Sequence, residues 1–272
     1  MLFNSYVFIF LFLPVTLLLF IAWGRWGFHR LGIGWLVSAS LFFYGWWDPR
    51  YLWLIGGSIL FNYVAGEGLS RNAGTWKGRA LLAGAVAANL AVLGCFKHTI
   101  SFICNLNAVF DASLPLPYII LPLSISFFTF TQVAYLVDTY RSVTYKRNLL
   151  DYGFFVTVFP HLIAEPIIHH KDVIPQFREK RTFRFDLENL PIGLTIFVIG
   201  LFKKTVLADG IAGYSTPVFE LARGGSALFF CQARGRTMAY TMQIHFDFPA
   251  YSDRVIGLSK LIGVRFLEPH VQ

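Results

Sequence analysis

The sequence predicts an all-α, polytopic integral membrane protein, and three observations lead to that fold class. Hydrophobic residues make up 56% of the 272-residue chain and charged residues only 14%, against about 25% charged residues in ordinary soluble domains. Long apolar runs recur from end to end, and several approach the roughly 20 residues that a helix needs to cross a bilayer. The runs are continuous rather than alternating, which excludes the two-sided strands of a membrane β-barrel.

Seven apolar runs are predicted to be the membrane spans of one domain that covers residues 1–272. The first run is not a cleavable signal peptide, because it lacks a basic start and a small-residue cleavage site. The last run differs from the others because polar residues interrupt it. In chain order, the predicted spans lie near residues 2–23, 33–47, 51–66, 80–96, 118–137, 190–207 and 228–262.

Basic residues predict the orientation of the chain. They follow the first, third and fifth spans, and short loops rich in Lys and Arg remain on the cytoplasmic side. The N-terminus is therefore predicted to lie outside the cytoplasm. The formal net charge of +8 falls between spans, where it indicates contact with anionic lipid head groups rather than nucleic acid. The residues that carry this pattern are Arg25, Arg30, Arg71, Lys77, Arg79, Arg141, Lys146 and Arg147.

A short apolar segment at residues 152–168 breaks the alternation of spans. Basic stretches flank it on both sides, and Pro160 and Pro166 interrupt it. It is therefore predicted to be a re-entrant hairpin that packs in protein or lines a watery cavity. His161 and Glu165 lie within it, at a spacing compatible with an acid–base pair near neutral pH. The alternative, which the residues favour, is a structural histidine in a tight turn.

The most polar stretch at membrane depth covers residues 240–263. If it is helical, Tyr240, Gln243, Asp247, Tyr251 and Arg254 fall within roughly 80° of one another around the helix axis. Ionisable groups in lipid usually face a bundle interior or a water-filled cavity. This face is therefore predicted to line a cavity for a polar substrate. The alternative is that these side chains only hydrogen-bond between helices and fix their packing.

Further expectations concern the neighbours of this face. Pro249 lacks a backbone donor, so a kink or break is expected at the level of His245. His245 and Asp253 are expected to point away from the polar face. Lys203 and Lys204 are expected to extend to the head groups, with an anionic acyl donor as the alternative. No spacing matches a nucleophile elbow, a phosphate loop or a metal-ligand set, so neither a catalytic residue nor a metal site is predicted.

Several segments, in order, resemble the membrane-bound O-acyltransferase family, in particular its bacterial alginate O-acetylation branch. The likeness covers nearly the whole chain, and the shared order and polar punctuation make it specific. The segments are MLFNSYVFIFLFLP at Met1–Pro14, SLFFYGWWDPRYLWLI at Ser40–Ile55, LPLSISFFTFTQVAYLVDTYR at Leu121–Arg141, FPHLIAEPI at Phe159–Ile167, IPQF at Ile174–Phe177, GLFKKTVLAD at Gly200–Asp209 and YTMQIHFDFPAYSDRVIGLSKLIG at Tyr240–Gly263.

The resemblance implies a ring of membrane helices around a central funnel, in which an acyl group passes onto the hydroxyl of a polysaccharide such as alginate. It implies an acyl donor, acetyl or another, and no other bound cofactor. The implied partners are membrane lipids, the polysaccharide acceptor and periplasmic accessory acetyltransferase proteins. The implied location is a bacterial inner membrane, with the N-terminus in the periplasm. The family's catalytic histidine lies in a Trp-His motif downstream of the QIxFDF segment, and no residue from 1 to 272 matches it.

The chain is therefore expected to be a C-terminally incomplete member of the family that is inactive alone. Two departures from the family pattern support this expectation: Glu165 stands where Gly is usual, and Pro249–Ala250 stand where Ser-Gly is usual. Both are expected to block a close approach of backbones. The alternatives are a non-catalytic membrane remnant, a scaffold or a transport component. Transfer of D-alanine to a cell-wall polymer is an alternative within the family.

Overall fold

A computed structural model describes residues 3–110, 113–117, 121–122, 124–141, 148–162, 175–176, 182, 189–224 and 229–264. Throughout these residues the regular secondary structure is helical, which confirms the predicted all-α class. Continuous apolar runs favour helices in a membrane protein, because a helix satisfies its backbone hydrogen bonds within a single segment, as lipid requires.

The helices follow one another along the chain with short connections. Their bounds are as follows: a π-helical turn at Phe8–Phe12, α1 at Leu13–Arg25, α2 at His29–Gly45, α3 at Tyr51–Arg71, α4 at Trp76–Lys97, α5 at Thr99–Phe110, α6 at Ile125–Tyr140, α7 at Leu149–Thr157, α8 at Phe159–Leu162, α9 at Asn189–Phe202, a π-helical segment at Lys203–Ala208, α10 at Asp209–Arg223 and α11 at Phe230–Ile262.

The helices lie where the apolar runs predict them, but their ends differ. α3 continues to Arg71 and α4 begins at Trp76, because the polar residues that flank an apolar run sustain helical hydrogen bonds as well as apolar ones. Thr75 caps α4 by accepting a hydrogen bond from the Gly78 N–H at 3.1 Å. α5 is an additional helix of 12 residues that no predicted span covers.

Three of the described helical stretches are long and apolar enough to cross a membrane: Phe8–Arg25, Trp76–Lys97 and Asn189–Leu221. The first, fourth and sixth predicted spans fall on them. Membrane crossing by the other apolar runs, a single domain over residues 1–272, the helical ring and the re-entrant segment all stay predictions.

The chain forms two compact units, with the boundary inside α1. The first comprises Ala22–Arg178, and the second comprises Leu2–Ile21 and Glu179–Gln272. In the first unit, α3, α4 and α6 pack on one another, and α2 packs on α7. In the second unit, α9 packs along α11, and the π-helical segment and α10 also contact α11.

A buried network of uncharged polar side chains joins α3, α4 and α6. Asn62 and Asn89 exchange two hydrogen bonds of 3.0 and 2.7 Å. The Gln132 Oε1 accepts from the Asn62 Nδ2 at 2.7 Å and from the Ser58 hydroxyl at 2.6 Å. Asn62 and Gln132 have no exposed surface. Hydrogen bonds of this kind hold membrane helices together where hydrophobic burial contributes little.

The segment predicted to be re-entrant contains a break between α7 and α8 at Val158. Residues 152–159 are buried in the first unit. The Phe159 N–H, left free by the break, donates to the Ser40 hydroxyl at 3.0 Å, and Ser40 in turn donates to the Leu36 carbonyl. This broken stretch of backbone is thus enclosed by protein, which is the condition that lipid imposes on irregular backbone at membrane depth.

Candidate functional site

The second unit contains a cluster of two lysines and three aspartates, which we call the charged cluster: Lys203, Lys204, Asp209, Asp247 and Asp253. The Lys203 Nζ lies 2.7 Å from the Asp253 carboxylate. The Lys204 Nζ lies 2.9 Å from the Asp247 carboxylate and 3.1 Å from that of Asp209. All five side chains are partly exposed, with between 25% and 45% of their surface accessible. A polar molecule can therefore reach the cluster.

The local backbone explains how two consecutive lysines reach the same helix. Lys203 and Lys204 begin the π-helical segment, in which the turn is wider than in an α-helix and successive side chains diverge less around the axis. Asp247 and Asp253 lie six positions apart on α11, or about 120° around it. The two lysines therefore contact different sides of α11. π-Helical turns within α-helices are often found at functional sites.

Glycine positions bring the backbones of α9 and α11 close beside the charged cluster. A Cβ added at Gly257 would lie 2.6 Å from the Phe197 nitrogen and 2.7 Å from the Gly193 carbonyl oxygen. A Cβ added at Gly200 would lie 2.8 Å from the Ala250 carbonyl oxygen. Small residues at a crossing allow this approach in membrane helices, and here they bring α9, which leads directly into the π-helical segment, close to α11.

Arg254 is buried where α9 crosses α11. Its Nε donates to the Ala250 carbonyl at 3.0 Å, one turn back along α11, and its guanidinium carbon lies 5.5 Å from the centre of the Tyr251 ring. A Cβ added at Gly200 would lie 2.9 Å from the Arg254 Cγ, so the glycine makes room for the arginine stem. Arg254 therefore serves packing more directly than it serves an accessible cavity.

The N-terminal part of the predicted polar face contacts α10. The Ser215 hydroxyl donates to the Gln243 Oε1 at 2.6 Å, and the Tyr240 ring packs on the Phe219 ring at a centroid distance of 5.0 Å. The Tyr251 ring lies 5.6 Å from that of Phe3. The five residues of the face thus contact several different elements, and only Asp247 belongs to the charged cluster. Their role as the lining of a cavity stays a prediction.

The structure can be compared with three expectations about this region. Asp253 was expected to point away from the polar face, and it lies about 120° from Asp247 around α11, where it pairs with Lys203. The two lysines were expected to extend to head groups, but both ammonium groups pair with carboxylates of the protein. A kink or break was expected at the level of His245. There is no break, because α11 runs through Pro249 to Ile262 and ends where Gly263 adopts a left-handed φ of 80°, and the kink stays a prediction.

The expected obstruction at Pro249–Ala250 is also absent. Ala250 is fully buried, and its carbonyl contacts the surface that Gly200 leaves open. An alanine is small enough to preserve a close crossing of helices. The other departure from the family pattern, Glu165, lies outside the described residues.

His161 falls within α8, but its side chain and all of Glu165 lie outside the part of the chain that the structure describes. The acid–base pair predicted from their spacing therefore stays a prediction. Sequence reasoning gave Lys203 and Lys204 a site, for an anionic acyl donor, only as the alternative, and it missed Asp209. The available signal was a pair of lysines and an aspartate within seven residues at the end of an apolar run.

The chemistry available to the charged cluster is binding and orientation. Carboxylates accept hydrogen bonds from hydroxyl groups, and ammonium groups donate to hydroxyl or carbonyl oxygens. Together with the buried Arg254, the cluster has three cations and three carboxylates. Such a balanced set favours a neutral, hydroxyl-rich ligand over a strongly charged one. It contains no nucleophilic hydroxyl or thiol for covalent acyl transfer.

Comparison with known proteins yields relatives along nearly the whole chain. It is 37% identical to a peptidoglycan O-acetyltransferase of Helicobacter pylori over 97% of its own length and 55% of the relative's. It is 38% identical to a probable alginate O-acetylase AlgI of Pseudomonas aeruginosa, over 98% of its own length and 51% of the relative's. The corresponding protein of Azotobacter vinelandii is 36% identical, with 98% and 53% covered.

The chain spans about half the length of the curated relatives it matches. No family model matches it. The similarity nevertheless covers 97–98% of the chain at 36–38% identity, which chance does not produce over such a length. The chain is thus a homologue of the bacterial membrane-bound O-acyltransferases of the alginate O-acetylase type.

Proposed function

We propose that the chain forms part of a bacterial inner-membrane O-acyltransferase that transfers acetyl groups to hydroxyls of an extracytoplasmic polysaccharide. One observation carries the proposal: identity of 35–38% to alginate O-acetylases and a peptidoglycan O-acetyltransferase over 97–98% of the chain. In this proposal the N-terminus is periplasmic. Accessory periplasmic acetyltransferase proteins and an acyl donor complete the system.

The charged cluster contributes to this function by holding the acceptor or the path that leads to it. Asp247 and Asp209 share Lys204, so each carboxylate keeps lone pairs free for a sugar hydroxyl. The ammonium group of Lys204 lowers the free-energy cost of placing the carboxylates of Asp209 and Asp247 on α10 and α11. The acyl-transfer step itself is assigned to the family histidine, which the resemblance places downstream of the QIHFDF segment.

The relatives indicate two acceptors, alginate and peptidoglycan, and both are glycans with free hydroxyls. Because the chain is about equally similar to proteins of both names, we propose the shared chemistry, O-acetylation of a glycan hydroxyl. Transfer of D-alanine in place of acetate remains the alternative within the same family, and a scaffold or transport component remains the alternative outside it.

The proposal is tested by measuring the O-acetyl content of alginate in a strain deleted for its own membrane O-acetylase. One derivative carries the 272-residue chain alone, and another carries it fused to the downstream half of a relative, which supplies the Trp-His motif. We expect acetylation to return with the fusion and not with the chain alone.

A fusion whose motif histidine is replaced by alanine is the matched control, and it must give no acetylation. If the intact fusion reaches the membrane at the level of the relative and acetylates neither alginate nor peptidoglycan, the proposed function is wrong. Release of labelled D-alanine from the polymer, in place of acetate, would establish the alternative acyl group.

A further inference from the structure

The first unit contains a groove between α3, α4 and α6 with a volume of about 310 Å³. This volume is at the lower end of the range of ~300–1,000 Å³ that is usual for small-molecule pockets. It is too small for another helix, whose diameter with side chains is about 10 Å. Apolar side chains form most of the wall. The lining residues include Trp53, Gly57, Ser58, Phe61, Ala88, Asn89 and Thr129.

Small residues open the groove. A Cβ added at Gly57 would meet no atom within 4 Å, although α4 and α6 pack on the same helix. Ala88 forms the facing wall with only a methyl group. The groove is therefore open because positions 57 and 88 hold small residues, and a larger side chain at either position would fill it.

Three polar residues, Ser58, Asn89 and Thr129, line the groove, and the first two already use their donors within the protein. Both Asn89 Nδ2 hydrogens are used, one by the Asn62 Oδ1 and one by the Ala85 carbonyl. The Ser58 hydroxyl donates to the Gln132 Oε1. Because these donors already have partners within the protein, a hydrocarbon chain laid against them leaves no donor newly unsatisfied.

The groove runs from near one end of the helices toward their middle. Trp53 is the third residue of α3, and Phe61 lies eight residues further along, or about 12 Å. The side chain of Trp53 is 87% exposed, as is typical of tryptophans at the level of lipid head groups. α4 is one of the helices long and apolar enough to cross a membrane, so the groove extends from the head-group region into the hydrocarbon layer.

A cation lies at the head-group end of α4. Lys97 is the last residue of that helix, and its Nζ donates to the Ser126 hydroxyl at the start of α6, at 3.2 Å. Lys97 is exposed, and among the described residues no carboxylate lies within 4.0 Å of its ammonium group. Its charge is thus available to an anionic group at the surface of the membrane.

We propose that this groove binds one anionic phospholipid, with an acyl chain between α3 and α4 and the phosphate near Lys97. The apolar wall, the satisfied polar groups at its deep end and the cation above its mouth match the three parts of such a lipid. The binding is separate from acyl transfer and does not depend on the proposed function.

The experiment is a titration of the purified 272-residue chain in detergent with phosphatidylglycerol and phosphatidylcholine of identical chains, with binding measured by native mass spectrometry. We expect Gly57→Leu to weaken phosphatidylglycerol binding at least about tenfold, the effect of displacing two or more methylene groups from apolar contact. Ala88→Leu fills the same space from α4 and should act in the same way.

The matched control is Gly56→Leu, because a Cβ at Gly56 also meets nothing within 4 Å and the residue does not line the groove. Gly56→Leu should leave binding unchanged, and circular dichroism should show equal helix content in all variants. Lys97→Gln should weaken phosphatidylglycerol binding about fivefold. It should weaken phosphatidylcholine binding less, because the choline ammonium group offsets the charge of the phosphate.

The site is refuted if wild type binds no phosphatidylglycerol beyond what the Gly57→Leu variant retains. Equal losses in Gly56→Leu and Gly57→Leu would also contradict it, because the effect would then be one of general helix perturbation. If wild type and Lys97→Gln prefer phosphatidylglycerol over phosphatidylcholine equally, the phosphate does not lie near Lys97. That result would overturn the proposal of an anionic lipid.

Discussion

The two units use different chemistry to hold their helices together. In the first unit, Asn62, Asn89 and Gln132 form an uncharged network that is almost entirely buried. In the second unit, the charged cluster joins the π-helical segment to α11 through ion pairs that remain partly exposed. One unit thus places neutral amides in its interior, and the other places charges at an accessible surface.

This difference indicates a packing role for the polar network of the first unit and a candidate site in the second unit. Neutral amides that hydrogen-bond to one another join helices in lipid without burying a charge. Ionisable groups within a membrane are costly, and they are usually retained where a substrate, ion or proton meets the protein. The charged cluster is therefore the better candidate site.

The largest expected effect concerns the crossing of α9 and α11. Gly257→Leu should destabilise the second unit by about 3 kcal/mol or more, because backbone atoms of Phe197 and Gly193 occupy the space and cannot move like a side chain. Unfolding in detergent, followed by circular dichroism during titration with sodium dodecyl sulfate, gives the value.

Gly235→Leu on the same helix is its control, since a Cβ there meets nothing within 4 Å. Gly235→Leu should be neutral or slightly stabilising, because leucine is the better helix former. Similar losses in both variants would contradict the close crossing.

A smaller effect is expected in the neutral network. Asn62→Ala should lower the free energy of unfolding by about 2 kcal/mol, because it removes interhelical bonds to Asn89 and Gln132 and leaves their buried groups short of partners. The same titration measures it. Asn62→Ala with unchanged stability would show that the three helices are held by packing alone.

Asp253→Asn should be milder still, at about 1 kcal/mol or less. The amide oxygen can still accept a hydrogen bond from Lys203, and both side chains are partly exposed, which weakens the lost ion pair. Thermal unfolding of the purified chain would detect a larger loss. A loss as large as that of Asn62→Ala would mean that the charged cluster serves stability first.

The smallest effect belongs to the exposed pair on α3. Arg71 and Glu67 lie 3.1 Å apart, one helical turn from each other, with most of the Arg71 side chain exposed. Glu67→Gln should change stability by no more than about 0.5 kcal/mol. Glu67→Gln supplies the baseline for the other variants. If thermal unfolding shows a loss of stability above about 1 kcal/mol, the pair is not the exposed, weak ion pair described here.

Much of the architecture follows from the order of residues. Apolar runs locate the helices because lipid leaves few alternatives to a helix, and a spacing of 100° per residue places Gln243 and Asp247 toward neighbouring elements. Helix ends are less predictable, as α3 shows by continuing through Glu67 to Arg71. There the helix continues through backbone hydrogen bonds and the Arg71–Glu67 ion pair. A hydropathy pattern detects neither, so it does not predict this helix end.

The partners of the polar residues could not be predicted. Asn62 and Gln132 are 70 positions apart, and nothing local in either stretch indicates that they meet. Lys203 and Lys204 were expected to reach head groups because lysines near a helix end usually do so. Their carboxylate partners on α11 are 50 and 43 positions further along the chain, and sequence alone does not show that they meet. The continuity of α11 through Pro249 likewise depends on its packing along α9, which a rule about isolated helices omits.

The most direct test of a functional charged cluster is the alginate O-acetyl content, per folded chain, of the fusion protein carrying Lys204→Met. The variant leaves Asp209 and Asp247 without their shared cation, and expressing acetylation per folded chain separates a loss of stability from a loss of function. Asn62→Ala in the same fusion is the comparison, because it disturbs helix packing away from the charged cluster. We expect acetylation to fall at least about tenfold in Lys204→Met, because at least one charge-assisted contact is lost. Acetylation per folded chain should stay near the wild-type level in Asn62→Ala. Wild-type acetylation by the Lys204→Met fusion would contradict a role for the cluster in acyl transfer.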